Sequence, residues 1–152
     1  MEEDRLEKQI EIAAPVSRVW KALTDSREFG EWFRVKLEGP FMAGQKVGGQ
    51  LTFPGYEDVR MEVVVKEIRA ETYFSYTWHP YAVDPKVDYA KEAPTLVEFR
   101  LEPVGKRTRL TVTESGFTNI PAERRATAFL RNSNGWQQQL GHIQAYVNGK
   151  TS

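Results

Sequence analysis

The stretch PAERRATAFLRNSNGWQQQLGHIQAYVNGK, Pro121 to Lys150, decides the fold. Within it Phe129, Ser133, Trp136, Leu140, Ile143 and Val147 recur at intervals of 4, 3, 4, 3 and 4 residues. That spacing puts all six side chains on one face of an α-helix. Between Lys46 and Glu114 the apolar residues instead alternate with period two, as strands do. One long amphipathic helix and one large antiparallel sheet must bury their apolar faces on each other, so the expected class is α+β. The middle of the helix is poorly built for that purpose. Asn132, Ser133, Asn134 and Gly135 are four weak helix formers in a row. A helix that fails to fill its own sheet leaves a cavity, and a cavity is a place for a ligand.

Outward from the helix, the other elements follow in order. Leu6, Lys8, Ile10 and Ile12 alternate with Glu7, Gln9 and Glu11, giving a first strand. Pro15 opens a short helix with Val16, Val19, Trp20 and Leu23 on one face. Asp25 to Glu31 reads as a polar turn or second short helix, and Trp32 to Leu37 as strand. A strand from Val47 to Phe53 fits its neighbour only with an irregular turn at Pro54-Gly55-Tyr56. A two-residue turn at Arg69-Ala70 pairs Val65 with Phe74, Val63 with Tyr76 and Met61 with Trp78, burying one consistent face. A hairpin through Val104-Gly105 pairs Phe99 with Leu110 and Val97 with Val112, and sets Thr95 opposite Glu114. The outer positions are charged or hydroxylated, as on a sheet covered on one side. Pro80 to Pro94 lacks periodicity; loops of that length inside a domain are usually functional or mobile, so Tyr81 to Ala93 is expected to gate the cavity. The 152 residues make a single domain, 1–152, of six to seven strands, two short helices after the first strand, and one long helix.

Composition narrows the function. The 21 basic and 21 acidic residues balance, which gives no basic field for nucleic acid. There are no cysteines, so thiol catalysis and cysteine zinc sites are excluded. The acidic start, Met1-Glu2-Glu3-Asp4, is no signal peptide, and no run approaches the ~20 apolar residues of a membrane span. A cytoplasmic location and no membrane insertion are expected. His79 and His142, with Asp84 and Asp88, make a poor zinc set, so neither metal nor cofactor is expected. Ser115 lies outside any nucleophile elbow, and Gly48-Gly49 sits inside a strand pattern rather than before a helix, so it suits sheet curvature or close helix approach, not phosphate.

The order of elements, together with APVSRVWKALTD (Ala14–Asp25), Trp32-Phe33, Glu114-Ser115-Gly116-Phe117 and Gly135-Trp136-Gln137-Gln138-Gln139-Leu140, resembles the START-related helix-grip superfamily. The branch it resembles is the family named for the activator of heat-shock protein 90 ATPase. The segment His79 to Pro85 looks like one bacterial subgroup of that family. The resemblance implies a curved antiparallel sheet gripping the C-terminal helix, with an apolar cavity between them. Relatives include lipid carriers, hormone and flavonoid binders, polyketide aromatases and cyclases, and a chaperone-activating domain. That last domain normally sits beside a second one, which is not expected within these 152 residues.

The expected function is a small-molecule binding protein for a hydrophobic or aromatic ligand, lipid-, flavonoid- or polyketide-like. Its expected lining is Trp32, Phe33, Phe53, Met61, Val63, Phe74, Tyr76, Trp78, Phe99, Glu114, Phe117, Ser133, Trp136 and Leu140. The same aromatic set also reads as a plain core, since aromatics dominate cores generally. Glu114 continues the inner phase of Leu110 and Val112, and His79 is expected near the same rim. Such a pair could do acid/base work in a polyketide cyclase; equally, Glu114 could cap or pair with a cation. The remaining alternative is a cofactor of the heat-shock protein 90 chaperone.

Overall fold

A computed structural model of the chain describes residues 4–57, 59–79 and 93–149. In chain order these form β1 (Arg5–Ile12), α1 (Val16–Thr24), α2 (Ser26–Phe33), β2 (Val35–Leu37), β3 (Lys46–Leu51), β4 (Arg60–Arg69), β5 (Tyr73–Trp78), β6 (Thr95–Val104), β7 (Arg107–Ser115) and α3 (Ala122–Gly149). The strands make one antiparallel sheet in the order β1-β7-β6-β5-β4-β3-β2, so β1 crosses to the far edge to pair with β7. The curved sheet and the long C-terminal helix are a helix-grip fold, as the alternation and the helical stripe require. No helix among the described residues is long and apolar enough to cross a membrane. The expected gate, Tyr81 to Ala93, lies outside the described residues apart from Ala93.

The helical stripe holds. Trp136, Leu140, Ile143 and Val147 are buried, with Phe129 and Ser133 partly so. Phe129 turns its ring onto Phe117, which sits in a single 3-10 turn after β7. The inner phase of the sheet supplies Met61, Val63, Val65, Phe74, Tyr76, Val97, Phe99, Leu110 and Val112, all buried.

Both hairpin registers differ from the sequence reading by two positions. Val65 pairs with Tyr76 rather than Phe74, because β4 runs on to Arg69 through a bulge at Lys66, and the turn takes Ala70, Glu71 and Thr72. Glu71 holds the left-handed conformation that this turn demands, at φ 63°. Phe99 pairs with Val112 rather than Leu110, because the hairpin turns on Gly105-Lys106. A slip of two keeps every side chain on its own face, so the inner and outer assignments survive.

Trp32 and Phe33 are not strand. They close the last turn of α2, whose N-terminus is capped by Asp25 Oδ1 accepting from the backbone N–H of Arg27 and Glu28. Only Val35 to Leu37 then extends as strand. Gly49 explains part of the Gly48-Gly49 pair: a Cβ there would come within 2.1 Å of the Lys36 carbonyl oxygen on β2. The close approach is by a neighbouring strand, not by a helix. Phe53 leaves the interior altogether; it is 41% exposed and lies beside Tyr56 in the loop after β3.

A polar cluster ties the helices together. Glu28 on α2 is buried, accepts from Arg18 Nη1 at 2.8 Å and Tyr146 Oη at 3.0 Å, and has Lys21 Nζ at 3.6 Å. Burial pushes its carboxyl up, but the hydrogen bonds of Arg18 and Tyr146 and the charges of Arg18 and Lys21 outweigh it. Its pKa is held below the ordinary 4.5.

Candidate functional site

Three adjacent strands bring their ends together under α3. Trp78 closes β5, Thr95 opens β6 and Glu114 is the penultimate residue of β7. Above them Asn132 and Trp136 sit one helical turn apart. All four converge on the Glu114 carboxylate. Oε1 accepts from Asn132 Nδ2 and Trp136 Nε1, each at 2.9 Å. Oε2 accepts from Trp78 Nε1 at 2.8 Å and Thr95 Oγ1 at 2.5 Å. An ionised carboxylate has about four lone-pair sites, and four donors occupy them.

Glu114 is fully buried, and its four hydrogen-bond partners among the described residues are all uncharged. Burial pushes its carboxyl above the ordinary 4.5; the four hydrogen bonds pull the other way without cancelling that effect. Three of the donors, the two indoles and the Asn132 amide, cannot accept through the same N–H groups. Thr95 alone can reverse its bond, so a proton on Glu114 would be donated to the Thr95 hydroxyl. Tyr76 lies near enough for the Glu114 charge, after burial, to raise its phenol well above the ordinary 10.0. Its hydroxyl is buried and has no hydrogen-bond partner among the described residues.

Most residues expected to line a cavity are packed into this core. Trp32, Met61, Val63, Phe74, Tyr76, Phe99, Glu114, Phe117, Trp136 and Leu140 are buried. Trp78 is partly exposed and stands 5.7 Å from Trp136, ring to ring; Ser133 is also partly exposed. Phe33 and Phe53 instead face an open cleft of about 620 Å³ beside α3. Its walls are Phe33, Leu51, Phe53 and Tyr56. Its floor is the α3 face bearing Thr127, Leu130, Arg131, Asn132, Asn134, Gly135, Gln138, Gln139 and His142, so that Asn132 joins the cleft to the Glu114 carboxylate. Sequence reasoning missed this floor, because a polar helical stripe looks like a solvated face. The exposed Leu130, at 63%, was the one apolar signal on it.

His79 follows Trp78 but is not among the groups bonded to Glu114. His142 Nδ1 pairs with Gln139 Oε1 at 2.9 Å at the cleft edge. Among the described residues no three His, Cys, Asp or Glu side chains gather as a metal site would need. Asp84 and Asp88 lie outside those residues.

Comparison with known proteins gives the lineage. The family model described as Activator of Hsp90 ATPase homolog 1-like protein matches residues 13–148. No curated protein matches the chain. Among solved structures, MLL2253 from Mesorhizobium loti superposes with a TM-score of 0.74 at 24% identity, over 95% of this chain and 96% of that one. The Aha1 dimer from Colwellia psychrerythraea gives 0.71 at 15% identity, over 95% and 96%. DynU16, from the dynemicin biosynthetic locus, gives 0.74 at 22% identity, over 97% of this chain. The chain spans only 48% of the length of DynU16. At these identities the likeness is one of fold.

Proposed function

The chain belongs to the Activator of Hsp90 ATPase homolog 1-like family, and on that premise we propose that it is a small-molecule binding protein for a hydrophobic or aromatic ligand. The observation that carries this reading is the cleft of about 620 Å³ beside α3. Pockets for drug-sized molecules span roughly 300–1,000 Å³ and combine apolar walls with a few polar groups. Here three aromatic rings and two leucines share the cleft with four side-chain amides, the Thr127 hydroxyl, Arg131 and His142.

Binding is favoured over catalysis by the state of Glu114. A general base needs a free lone pair within reach of the substrate proton. Both oxygens of Glu114 are already taken by donors from its own chain. The carboxylate therefore serves to hold α3 on the sheet. The family name also offers the heat-shock protein 90 chaperone as a partner.

The test is titration of the labelled protein with a flavonoid, a polyketide-derived anthraquinone and a fatty acid, followed by backbone amide shifts. Shifts gathered on Thr127 to His142 and on Leu51 to Tyr56 are expected. Shifts at neither segment, with every compound, would refute the reading. Recovery of a chemically altered compound would promote the cyclase alternative. Shifts caused only by added purified chaperone would promote the chaperone one.

A further inference from the structure

Gly135 lies in the interior of α3, where glycine weakens a helix more than any residue but proline. Helical glycines usually admit a close neighbour. Gly135 does not: a Cβ built on it meets no atom within 4 Å. Its backbone is not in the left-handed region either. The fold thus gains nothing visible from this glycine, yet the glycine lines the cleft. The volume its missing side chain leaves open belongs to the cleft.

We propose that Gly135 sets the shape of the cleft, leaving a bare strip of helix backbone on which a flat aromatic ligand with hydroxyl or keto oxygens lies. The inference rests on the reading of the cleft as a small-molecule site. Flatness follows from the surroundings: the same cleft is lined by the rings of Phe33, Phe53 and Tyr56. The oxygens follow from Asn134 and Gln138, whose amides both donate and accept. No Asp or Glu is among the described lining residues, so a cationic ligand would find no counter-charge there. Gly141 provides an internal control. It too lies within α3 with no atom within 4 Å of a built Cβ, but it does not line the cleft.

The experiment compares the wild type with Gly135→Ala and Gly141→Ala. Both variants should melt higher by about 2–4 °C, as a helix relieved of an interior glycine does. Emodin, a flat hydroxylated anthraquinone, and dodecanoate, a flexible acyl chain, are the probes. Gly135→Ala should weaken emodin binding about ten-fold or more, the effect of one added methyl group in a fitted pocket. Gly141→Ala should leave it within about two-fold, and dodecanoate should bend past the new methyl group with a similarly small change. Unchanged emodin affinity in Gly135→Ala overturns the proposal. So does a lowered melting temperature for that variant, since the glycine would then serve the fold. Equal losses for dodecanoate and emodin overturn the flat-ring assignment. If the wild type binds neither probe, the small-molecule reading falls first and the proposal with it, whatever the variants' melting temperatures.

Discussion

The indole N–H of Trp136, in the middle of α3, donates to Glu114 Oε1 at 2.9 Å. Its ring meanwhile packs 5.6 Å from that of Phe99 on β6. One side chain therefore contributes both packing and a polar bond to the grip of the helix, and the two can be separated. Trp136→Phe keeps a ring but leaves Glu114 one donor short, and should cost about 1–3 kcal/mol. Trp136→Ala also opens a cavity and should cost about 3–5 kcal/mol or more. Urea unfolding of the three proteins measures both; no loss in Trp136→Phe would mean that the hydrogen bond contributes nothing, and equal losses in the two variants that the packing contributes nothing.

Glu114→Gln should destabilise the fold by about 1–3 kcal/mol. The new amide must point its NH₂ at one of two indoles, neither of which can accept. The pH dependence carries a sign. From 4.5 up to its raised pKa, Glu114 keeps in the folded state a proton that the unfolded chain has released. Wild-type stability thus falls as pH rises through that window. The variant has no such proton. Its deficit relative to the wild type should shrink as pH climbs from 4.5 and then level off. A deficit that widens with pH would contradict the raised pKa.

Tyr76→Phe should leave stability unchanged or raise it by about 1 kcal/mol, since it deletes a buried hydroxyl with no partner among the described residues. Thermal melting checks this. A loss of more than about 1 kcal/mol would show that the hydroxyl is satisfied, as by an internal water.

Arg18→Met should cost about 2 kcal/mol by removing the 2.8 Å bond to buried Glu28. Glu28 has a lowered pKa, so its contribution is complete above 4.5 and is lost as pH falls through the lowered value. Denaturation below pH 4.5 should therefore erode the wild type more than the variant. Parallel acid limbs would remove Glu28 from the account.

The helix was legible because six stripe residues obey one period, and the face of each strand was legible because alternation survives a slip of two. Register was not. It depends on turns whose length the alternation does not encode: the left-handed Glu71 and the bulge at Lys66 shift β4 against β5, and Gly105-Lys106 shifts β6 against β7. Trp32 and Phe33 were misread because three apolar residues near a short polar run suit either period; the Asp25 cap settles them as helix. At the site, the inward aim of Glu114 and Thr95 could be read from their phase. The donor role of Asn132 could not, because a helix-weakening residue looks the same whether it opens a cavity or reaches for a carboxylate. The cleft was hidden for a related reason: its walls come from the end of α2, the end of β3 and the loop after it, and its floor from a polar stripe, and none of these has a periodic signal.

The convergence of two indoles on one carboxylate has a spectroscopic consequence. The ring N–H protons of Trp78 and Trp136 are held by the same group, one from the sheet and one from the helix. The indole of Trp32 is bonded elsewhere, to the Ala22 carbonyl at 2.8 Å between α1 and α2. In deuterated solvent the Trp136 signal should therefore fade at the rate at which α3 lifts from the sheet, while those of Trp78, bonded within the sheet and partly exposed, and of Trp32 keep their own time. The protein thus carries, without any added label, a clock for the opening of its own grip.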